Sequence, residues 1–331
     1  MLRTGPELSV IIPMYNEESH LVESLRTIIR HVKACVTDYE LIVIDDGSTD
    51  GTWLSLQELA AVTPGMTAMR LSRNFGKELA LCAGLESCKG KAVLVMDGDL
   101  QHPPELIQDM IRHWRVDRYD IVECYKVDRG QESIVNKVGA AIYYRMLNKF
   151  TGYDMKNASD FKLLDAKVVR AWRAMPEKNT FFRGMTAWTG FRRFSIPFEV
   201  PPREHGGSRW GTLKLAKLAI ESIISFSTLP LKLVSLAGLG FSLGAIVLGA
   251  ISVVEKLRGK AFTGFTTVYL LQLLIGGLVL FALGIIGEYI AAIYQEVKGR
   301  PRYLVQAQAS YQEATLHPSY LDEVAAASAD E

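Results

Sequence analysis

The sequence predicts an α/β domain with a parallel, doubly wound sheet, followed by a helical hairpin that crosses a membrane. Short β-branched runs alternate with helical segments over residues 8–125, and this alternation is typical of parallel sheets. Further along, residues 233–254 and 261–287 contain no charged side chain. Each of these runs exceeds the ~20 residues that a helix needs to cross a bilayer core.

Five strands and four helices are predicted to alternate in the first 125 residues. The strands are expected at 8–13, 40–45, 67–71, 92–97 and 120–125, and the helices near 17–35, 52–62, 77–88 and 103–116. The last helix opens with Pro103 and Pro104, and proline is favoured at a helix start. Such sheets bind ligands outside the carboxyl ends of their strands, so the residues that follow each strand are the candidate site.

Composition excludes several classes of protein. The 331 residues carry 37 Lys and Arg against 36 Asp and Glu, a net charge of +1, whereas a nucleic-acid-binding protein normally has a basic excess. The four cysteines form no Cys-x-x-Cys pair, which argues against a zinc site or a disulfide framework and favours reduced thiols. The first apolar run is too short for a signal peptide and contains Pro13.

The two uncharged runs are joined by the short link 255–260, so both ends of the chain are expected on one side of the membrane. Seven cations flank the hairpin and three lie in the link, which puts the flanks in the cytoplasm by the positive-inside rule. Residues 211–228 are predicted to form an amphipathic helix in the membrane interface. The alternatives are an ordinary domain helix there and a pair of buried core helices in place of the hairpin.

The predicted organisation is therefore an α/β domain over 1–205, the juxtamembrane helix over 206–231, two transmembrane helices over 232–292 and a C-terminal tail over 293–331. Past Arg302 the tail contains no Lys or Arg and several acidic and alanine residues. This composition predicts disorder there.

Acidic residues follow the second and fourth strands. Asp45 and Asp46 precede a glycine, and Asp97 and Asp99 flank one. Paired carboxylates at a strand end offer oxygen ligands to Mg²⁺ or Mn²⁺, and such a cation would neutralise charge on a diphosphate. The segment after the first strand lacks the Gly-x-Gly-x-x-Gly pattern, and the sequence contains no P-loop motif, which argues against a dinucleotide dehydrogenase and a P-loop NTPase.

Four ordered motifs carry a family resemblance, at residues 10–17, 44–50, 73–77 and 96–104. They resemble family 2 glycosyltransferases with the GT-A fold. The closer resemblance is to polyprenyl-phosphate glycosyltransferases: the bactoprenol glucosyltransferases, the undecaprenyl-phosphate aminoarabinose transferases and the dolichol-phosphate mannose synthases. The resemblance covers about residues 7–305, since it continues through 160–164, 182–184, 203–210, the hairpin, 287–290 and 300–303.

The resemblance implies a donor site built from the strand ends. The residues expected around the nucleotide sugar are Pro13, Tyr15, Glu17, Asp46, Lys77, Asp97 and Asp99. Asp97, Asp99 and Gln101 would surround Mg²⁺ or Mn²⁺ and the diphosphate. The alternatives left open are a solvated lysine at a helix start for Lys77 and a local helix cap for Asp45.

The resemblance also implies a polyprenyl phosphate as acceptor, which needs cations near the membrane surface. The candidates are Arg129, Lys137, Arg203 and Arg209, because guanidinium groups fit phosphate oxygens; the alternative for each is a solvated surface cation. Arg129 and Arg203, which stand in family-like segments, are predicted with Asp160 as catalytic residues.

Asp160 matches the position often assigned as base. A phosphate monoester has a second pKa near 6 and is already largely anionic, so Asp160 is predicted to orient the acceptor or a sugar hydroxyl.

The predicted function is the transfer of a sugar, glucose from UDP-glucose, to undecaprenyl phosphate at the cytoplasmic face of the inner membrane, with inversion. GDP-mannose and UDP-aminoarabinose stay open as donors, and the resemblance suggests a homotetramer. One alternative is a processive polysaccharide synthase, but Gly206 stands where its Gln-x-x-Arg-Trp motif requires glutamine before Arg209 and Trp210. The other is a catalytically silent membrane scaffold.

Overall fold

The structure, a computed structural model, describes residues 5–127, 158–175, 177, 180–199, 229–258 and 265–311. One mixed sheet of eight strands forms its centre. The strands are β1 (Leu8–Met14), β2 (Tyr39–Asp45), β3 (Met66–Leu71), β4 (Ala92–Val95), β5 (Ile121–Lys126), β6 (Ala158–Asp165), β7 (Arg193–Phe198) and β8 (Val305–Ser310). The helices are α1 (Leu21–Cys35), α2 (Thr52–Val62), α3 (Lys77–Ser87), α4 (Leu106–Arg115), α5 (Ala166–Arg173), α6 (Phe182–Trp188), α7 (Leu229–Leu257) and α8 (Phe265–Val297).

The strand order is β7-β5-β6-β4-β1-β2-β3-β8. The four strands β3, β2, β1 and β4 are parallel, as predicted from the alternation of strands and helices. All seven residues of β1 are buried, which fits its central place with helices on both faces of the sheet. One face packs against α1, α2 and α4, and the other packs against α3, α5 and α6.

Two strands that were not among the five predicted ones run against the parallel strands. β6 runs antiparallel to both β4 and β5. β8 runs antiparallel to β3 and closes the opposite edge of the sheet. The direction of β6 matters for the site: its first residues lie at the edge where the parallel strands end, so Asp160 comes to the same edge as the β4 carboxylates.

The prediction of disorder past Arg302 is wrong for Val305–Ser310, which form β8. The prediction rested on charge composition and did not consider the alternation of side chains in this segment. Ala307 and Ala309 pack against the core and the neighbouring residues are more exposed, which is the period-two pattern of a strand. The free edge of β3 supplies the backbone partners for this short segment. Residues 312–331 lie outside the described residues.

The remaining boundaries differ from the predicted ones by a few residues. β4 ends at Val95 rather than at residue 97, and α1 begins at Leu21 rather than near residue 17. α4 begins at Leu106 because Pro103 and Pro104 supply the carbonyls of the turn that precedes it.

Two helices contain stretches that are long and apolar enough to cross a membrane, Pro230–Ile251 in α7 and Leu271–Tyr294 in α8. None of the most apolar window in either stretch is buried within the protein, so this surface is not explained by packing inside the chain. The juxtamembrane helix predicted over 211–228 and most of the link between the helices lie outside the described residues. The proposed division into four segments stays a prediction.

The segment that follows α8 is attached to the α/β domain. The Tyr303 hydroxyl donates to Glu86 Oε2 at 2.6 Å, and Arg302 Nη2 donates to the Met175 carbonyl at 2.6 Å. The Leu304 carbonyl accepts from Ser72 N at 2.9 Å. The first contact joins the end of the hairpin to α3, the helix whose first residue, Lys77, lies in the candidate site, and the other two join it to the segments after α5 and β3.

Candidate active site

The loops that follow β1 and β2 hold each other in place. Asn16 has a left-handed backbone with φ 54°, and its N–H donates to Ser48 Oγ at 2.9 Å. Its side-chain oxygen accepts from Thr49 N at 2.9 Å. Glu17 N donates to Thr52 Oγ1 at 2.9 Å. These crossed hydrogen bonds fix the carboxyl end of β1, where Tyr15 is exposed and Glu17 points toward the acidic end of β4.

Asp46 joins the β2 end to the loop before α3. Its two carboxylate oxygens accept from Phe75 N at 2.7 Å and from Gly76 N at 2.8 Å. Burial raises the pKa of Asp46, and these backbone hydrogen bonds partly oppose that rise. Gly47 is required beside it, because a Cβ there would lie 2.3 Å from the Arg73 carbonyl carbon. The role of Asp46 toward a nucleotide stays a prediction.

Two other predicted residues occupy this strand end. Pro13 is buried in β1 and lies opposite Ile44 of β2, so it shapes the wall of the site from within the sheet. Asp45 Oδ1 accepts from Ser48 N at 3.0 Å, a contact within the turn after β2; it is not the helix cap left open for this residue, since α2 begins at Thr52. Asp45 Oδ2 lies 3.4 Å from Arg70 Nε.

The segment after β4 is held by a histidine. His102 Nδ1 accepts from Asp97 N at 3.1 Å, so in the neutral ring the proton resides on Nε2. The imidazole is buried and stacks on Phe161 with ring centroids 5.0 Å apart. Asp99 Oδ1 accepts from Gln101 N at 3.1 Å. The turn therefore presents Asp97 and Asp99 at the edge of the sheet with a fixed backbone.

Glu17 adds a third carboxylate close to this turn. A Cβ at Gly98 would lie 3.3 Å from Glu17 Oε2 and 2.5 Å from Met14 Cε, so a side chain between the two aspartates would displace Met14 and press on Glu17. Burial, reinforced by the negative charges of Asp99 and Asp97, raises the pKa of Glu17 to about 7. Its Oε2 atom is buried without a hydrogen bond from the described residues, although His20 Nε2 lies 3.7 Å away.

The chemistry of these acidic groups, rather than an assembled ligand set, relates them to the predicted divalent cation, which stays a prediction. Carboxylate oxygens are the ligands that Mg²⁺ and Mn²⁺ prefer. Within the described part of the chain, no group of three or more His, Cys, Asp and Glu side chains is arranged to hold a metal ion. Mg²⁺ is commonly held by one or two carboxylates and by phosphate oxygens. The Glu17 oxygen next to Gly98, which accepts no hydrogen bond from the described residues, is consistent with such a cation at Asp97 and Asp99.

Lys77 lies between the acidic turn and β6. Its Nζ atom is 2.6 Å from Asp97 Oδ1 and 2.7 Å from Asp160 Oδ2. Burial lowers the pKa of a lysine, but the charges of Asp97 and Asp160 outweigh that effect and raise the pKa of Lys77 above its ordinary value. Lys77 therefore stays cationic and links the β4 carboxylates to the β6 carboxylate, which is more than a solvated lysine at a helix start would do.

Asp160 is held from its other side by Arg183. Arg183 Nε donates to Asp160 Oδ1 at 2.7 Å, and Nη2 donates to Oδ2 at 2.9 Å. Burial would raise the pKa of Asp160, but the hydrogen bonds from Arg183 and the charge of Lys77 hold it far below its usual range. A carboxylate that two cations stabilise in this way is a poor proton acceptor.

The four cations predicted to bind the acceptor phosphate, Arg129, Lys137, Arg203 and Arg209, lie outside the described residues. Among the predicted site residues that the structure describes, Asp97, Lys77 and Asp160 are joined by direct ion pairs, and their roles toward a donor or an acceptor stay predictions.

Comparison with known proteins gives the family. Glycosyl transferase family 2 matches residues 9–165. The SfII prophage-derived bactoprenol glucosyl transferase of Shigella flexneri is 33% identical over 302 residues, which cover 91% of this chain and 97% of that relative. The chain belongs to glycosyltransferase family 2.

Other relatives span a similar share of this family 2 glycosyltransferase. An uncharacterised glycosyltransferase of Bacillus subtilis is 36% identical over 91% of this chain and 93% of its own length. Among solved structures, the glucosyl-3-phosphoglycerate synthase of Mycobacterium tuberculosis, in complex with Mn²⁺, UDP-glucose and phosphoglyceric acid, has 21% identity and a TM-score of 0.46. The matched region covers 68% of this chain and 79% of the synthase chain. The mixed sheet is GT-A-like, as predicted.

Three residues of the glycosyltransferase site were not predicted individually. His102 and Arg183 lie inside motifs that carried the resemblance, but nothing in their spacing indicated a partner. Glu78 follows Lys77 directly and reaches α6, 104 residues away in sequence. Contacts over such separations depend on how helices pack on the sheet, so a local pattern could not have predicted them.

Proposed function

We propose that this glycosyltransferase moves a hexose, glucose from UDP-glucose, to the phosphate of a polyprenyl lipid at the cytoplasmic face of the membrane. The observation that carries the proposal is the chain of charges Asp97–Lys77–Asp160–Arg183, in which successive partners lie 2.6–2.7 Å apart. It joins the acidic strand end expected to receive the nucleotide diphosphate to the β6 carboxylate expected to face the acceptor.

The lipid acceptor is supported by two further observations. Relatives named bactoprenol glucosyl transferase match over 91% of this chain, the hairpin included. No residue of the most apolar window in either α7 or α8 is buried within the protein, and a bilayer would cover this surface. A hairpin of two spans returns the chain to the side on which it began, and the seven flanking cations against three in the link favour the cytoplasm for that side. The α/β domain and both termini would then be cytoplasmic.

The proposed reaction is a single in-line displacement with inversion. An oxygen of the lipid phosphate attacks the anomeric carbon of the sugar, the bond to the diphosphate breaks, and UDP leaves with the electron pair. Because the phosphate oxygen is largely anionic at neutral pH, little proton transfer is needed. The protein's contribution is then mainly positioning and electrostatic stabilisation.

Named residues of this chain would carry those tasks. Lys77, as a permanent cation, would stabilise charge on the departing diphosphate. Asp160 would hold Lys77 and Arg183 in place and orient the acceptor or a sugar hydroxyl, rather than accept a proton. Mg²⁺ or Mn²⁺, held by Asp97 and Asp99 with Gln101 nearby, would supply further neutralisation of the diphosphate charge when bound.

The test uses the full chain in detergent micelles or nanodiscs with undecaprenyl phosphate and radiolabelled UDP-glucose. Label that moves into the organic-extractable lipid fraction supports the proposal, and parallel reactions with GDP-mannose and UDP-aminoarabinose assign the donor. Label in an aqueous polymer would instead indicate a polysaccharide synthase. No product with any donor would indicate a silent scaffold. Asp97→Asn serves as the inactive control, since it removes a carboxylate charge from the donor site at nearly constant volume.

A further inference from the structure

We infer that Glu78 is a positioning residue for sugar transfer, because it holds the first turn of α6 so that Arg183 reaches Asp160. Glu78 Oε2 accepts from Phe182 N at 2.7 Å. Phe182 is the first residue of α6, and Arg183 is the second. The inference rests on the proposed function, since it assigns a role within the same site.

The start of α6 needs a partner from elsewhere in the fold. The first four N–H groups of a helix have no acceptor within the helix, and a polar residue at the N-cap usually supplies one. The N-cap here is Phe181, whose side chain has no oxygen atom. The Glu78 carboxylate, which comes from the first turn of α3, supplies an acceptor across the site.

The other end and the inner face of α6 are also held. Arg193 Nη2 donates to the carbonyl of Ala187 at 3.2 Å, where the last carbonyls of the helix need donors. Phe182 and Met185 are buried in the core beside α3 and α5. A helix of seven residues is not stable alone, so its position depends on these contacts.

The first turn of α3 therefore controls Asp160 by two routes. Lys77 contacts Asp160 directly, while Glu78 acts through α6 and the two hydrogen bonds of Arg183. Without the Glu78 carboxylate, Phe182 N–H loses its acceptor and α6 can shift away from β6. Small displacements of catalytic groups cost up to about 100-fold in rate, and a partial shift is expected to cost about tenfold.

The test compares Glu78→Ala and Glu78→Gln with Glu58→Ala, a matched control on an exposed position of α2. Glu78→Ala should lower kcat about tenfold and leave the KM for the donor and the affinity for UDP within about twofold. Glu78→Gln keeps an oxygen that can accept from Phe182 N, so its kcat should stay within about threefold of the parent. Glu58→Ala should match the parent.

A double-mutant cycle with Arg183→Ala separates positioning from an independent effect. If Glu78 acts through Arg183, the double variant should be about as slow as Arg183→Ala alone. The inference would be overturned if the fold-losses in kcat of the two single variants multiplied in the double variant. An unchanged kcat in Glu78→Ala or a large loss of kcat in Glu78→Gln would overturn it as well.

The link from Glu78 to Arg183 can also be tested without activity, so that its failure is distinguishable from failure of the proposed function. If the parent transfers no sugar to any lipid, the same cycle is measured by thermal unfolding. Less-than-additive lowering of Tm by the two substitutions then supports the link from Glu78 to Arg183, and additive lowering contradicts it. If Glu78→Ala does not fold, the cycle is run with Glu78→Gln, for which retained activity supports the inference and a large loss overturns it.

Discussion

The Nζ atom of Lys77 lies 2.7 Å from Asp160 Oδ2, although 83 positions separate the two residues in the chain. The same atom lies 2.6 Å from Asp97 Oδ1. One ammonium thus joins the carboxyl end of a parallel strand to the start of an antiparallel one. Its removal would leave Asp97 without this partner and would leave Asp160 with the ion pair to Arg183.

Lys77→Ala should lower kcat for sugar transfer by about 100-fold, the size of effect seen when one preorganised electrostatic contact is lost. Lys77→Arg should not restore the rate, because a planar guanidinium cannot take the place of a compact ammonium between two carboxylates. Steady-state transfer to lipid measures both variants. A loss below threefold in Lys77→Ala would contradict the proposed role.

Asp160→Asn should lower the rate of sugar transfer by a factor that stays the same at every pH between about 6 and 9. The reason is that Arg183 and Lys77, by outweighing the effect of burial, hold the pKa of Asp160 far below this window, so the group stays ionised throughout. The measurement is the pH–rate profile of the parent and the variant. Selective loss of a basic limb near pH 6–7 in the variant would instead identify Asp160 as the base.

Glu78 should make the protein less stable as pH rises from about 5 to about 7. Burial raises the pKa of Glu78 to about 7, partly opposed by the hydrogen bond from Phe182; the charges that face it are Asp160, Arg183 and Lys77. In that window the folded state binds more protons than the unfolded state, so the free energy of unfolding falls and then levels off above the folded pKa. The difference in Tm between about pH 5 and about pH 8 should be smaller in Glu78→Gln than in the parent; an equal difference would contradict the assignment.

Gly98→Ala should impair the donor site, because the new Cβ would lie 2.5 Å from Met14 Cε and 3.3 Å from Glu17 Oε2. We expect a loss of stability of about 1–3 kcal/mol and a smaller thermal shift on addition of UDP with Mn²⁺. Gly244→Ala is the control, since a Cβ there meets nothing within 4 Å. A parent-like thermal shift in Gly98→Ala would show that the turn tolerates a side chain.

Tyr303→Phe should loosen the segment that follows the hairpin. The hydroxyl donates to Glu86 Oε2 at 2.6 Å, and a lost hydrogen bond of this kind costs about 1–3 kcal/mol when a partner is left behind. Limited proteolysis should cut the variant faster near residues 298–311. Tyr311→Phe, which changes an exposed tyrosine at the end of β8, is the control. Equal cleavage rates would mean that β8 and Arg302 suffice to hold the segment.

The sequence by itself determined the parallel half of the sheet, the acidic strand ends and the two long apolar runs. Each of these is encoded by neighbouring residues: β-branched runs in alternation with helices, carboxylates that flank a glycine directly after a strand, and uninterrupted apolar stretches. For that reason all five strands from β1 to β5 were predicted within a few residues, and Asp97 and Asp99 were identified as candidate ligands.

Only the tertiary structure decided the direction of β6, the pairing of β8 with β3 and the partners of Asp160. The sequence of β6, which mixes apolar residues with Asp160, Lys162 and Asp165, does not indicate its direction, because that depends on how the chain returns to the sheet. β8 is too short and weakly apolar to be recognised without the β3 edge that completes its hydrogen bonds. The ion pairs of Lys77, Asp160 and Arg183 join residues that are close only after α3 and α6 pack on the same face of the sheet. Local sequence encodes periodicity and turn chemistry, whereas these contacts arise from packing between distant segments.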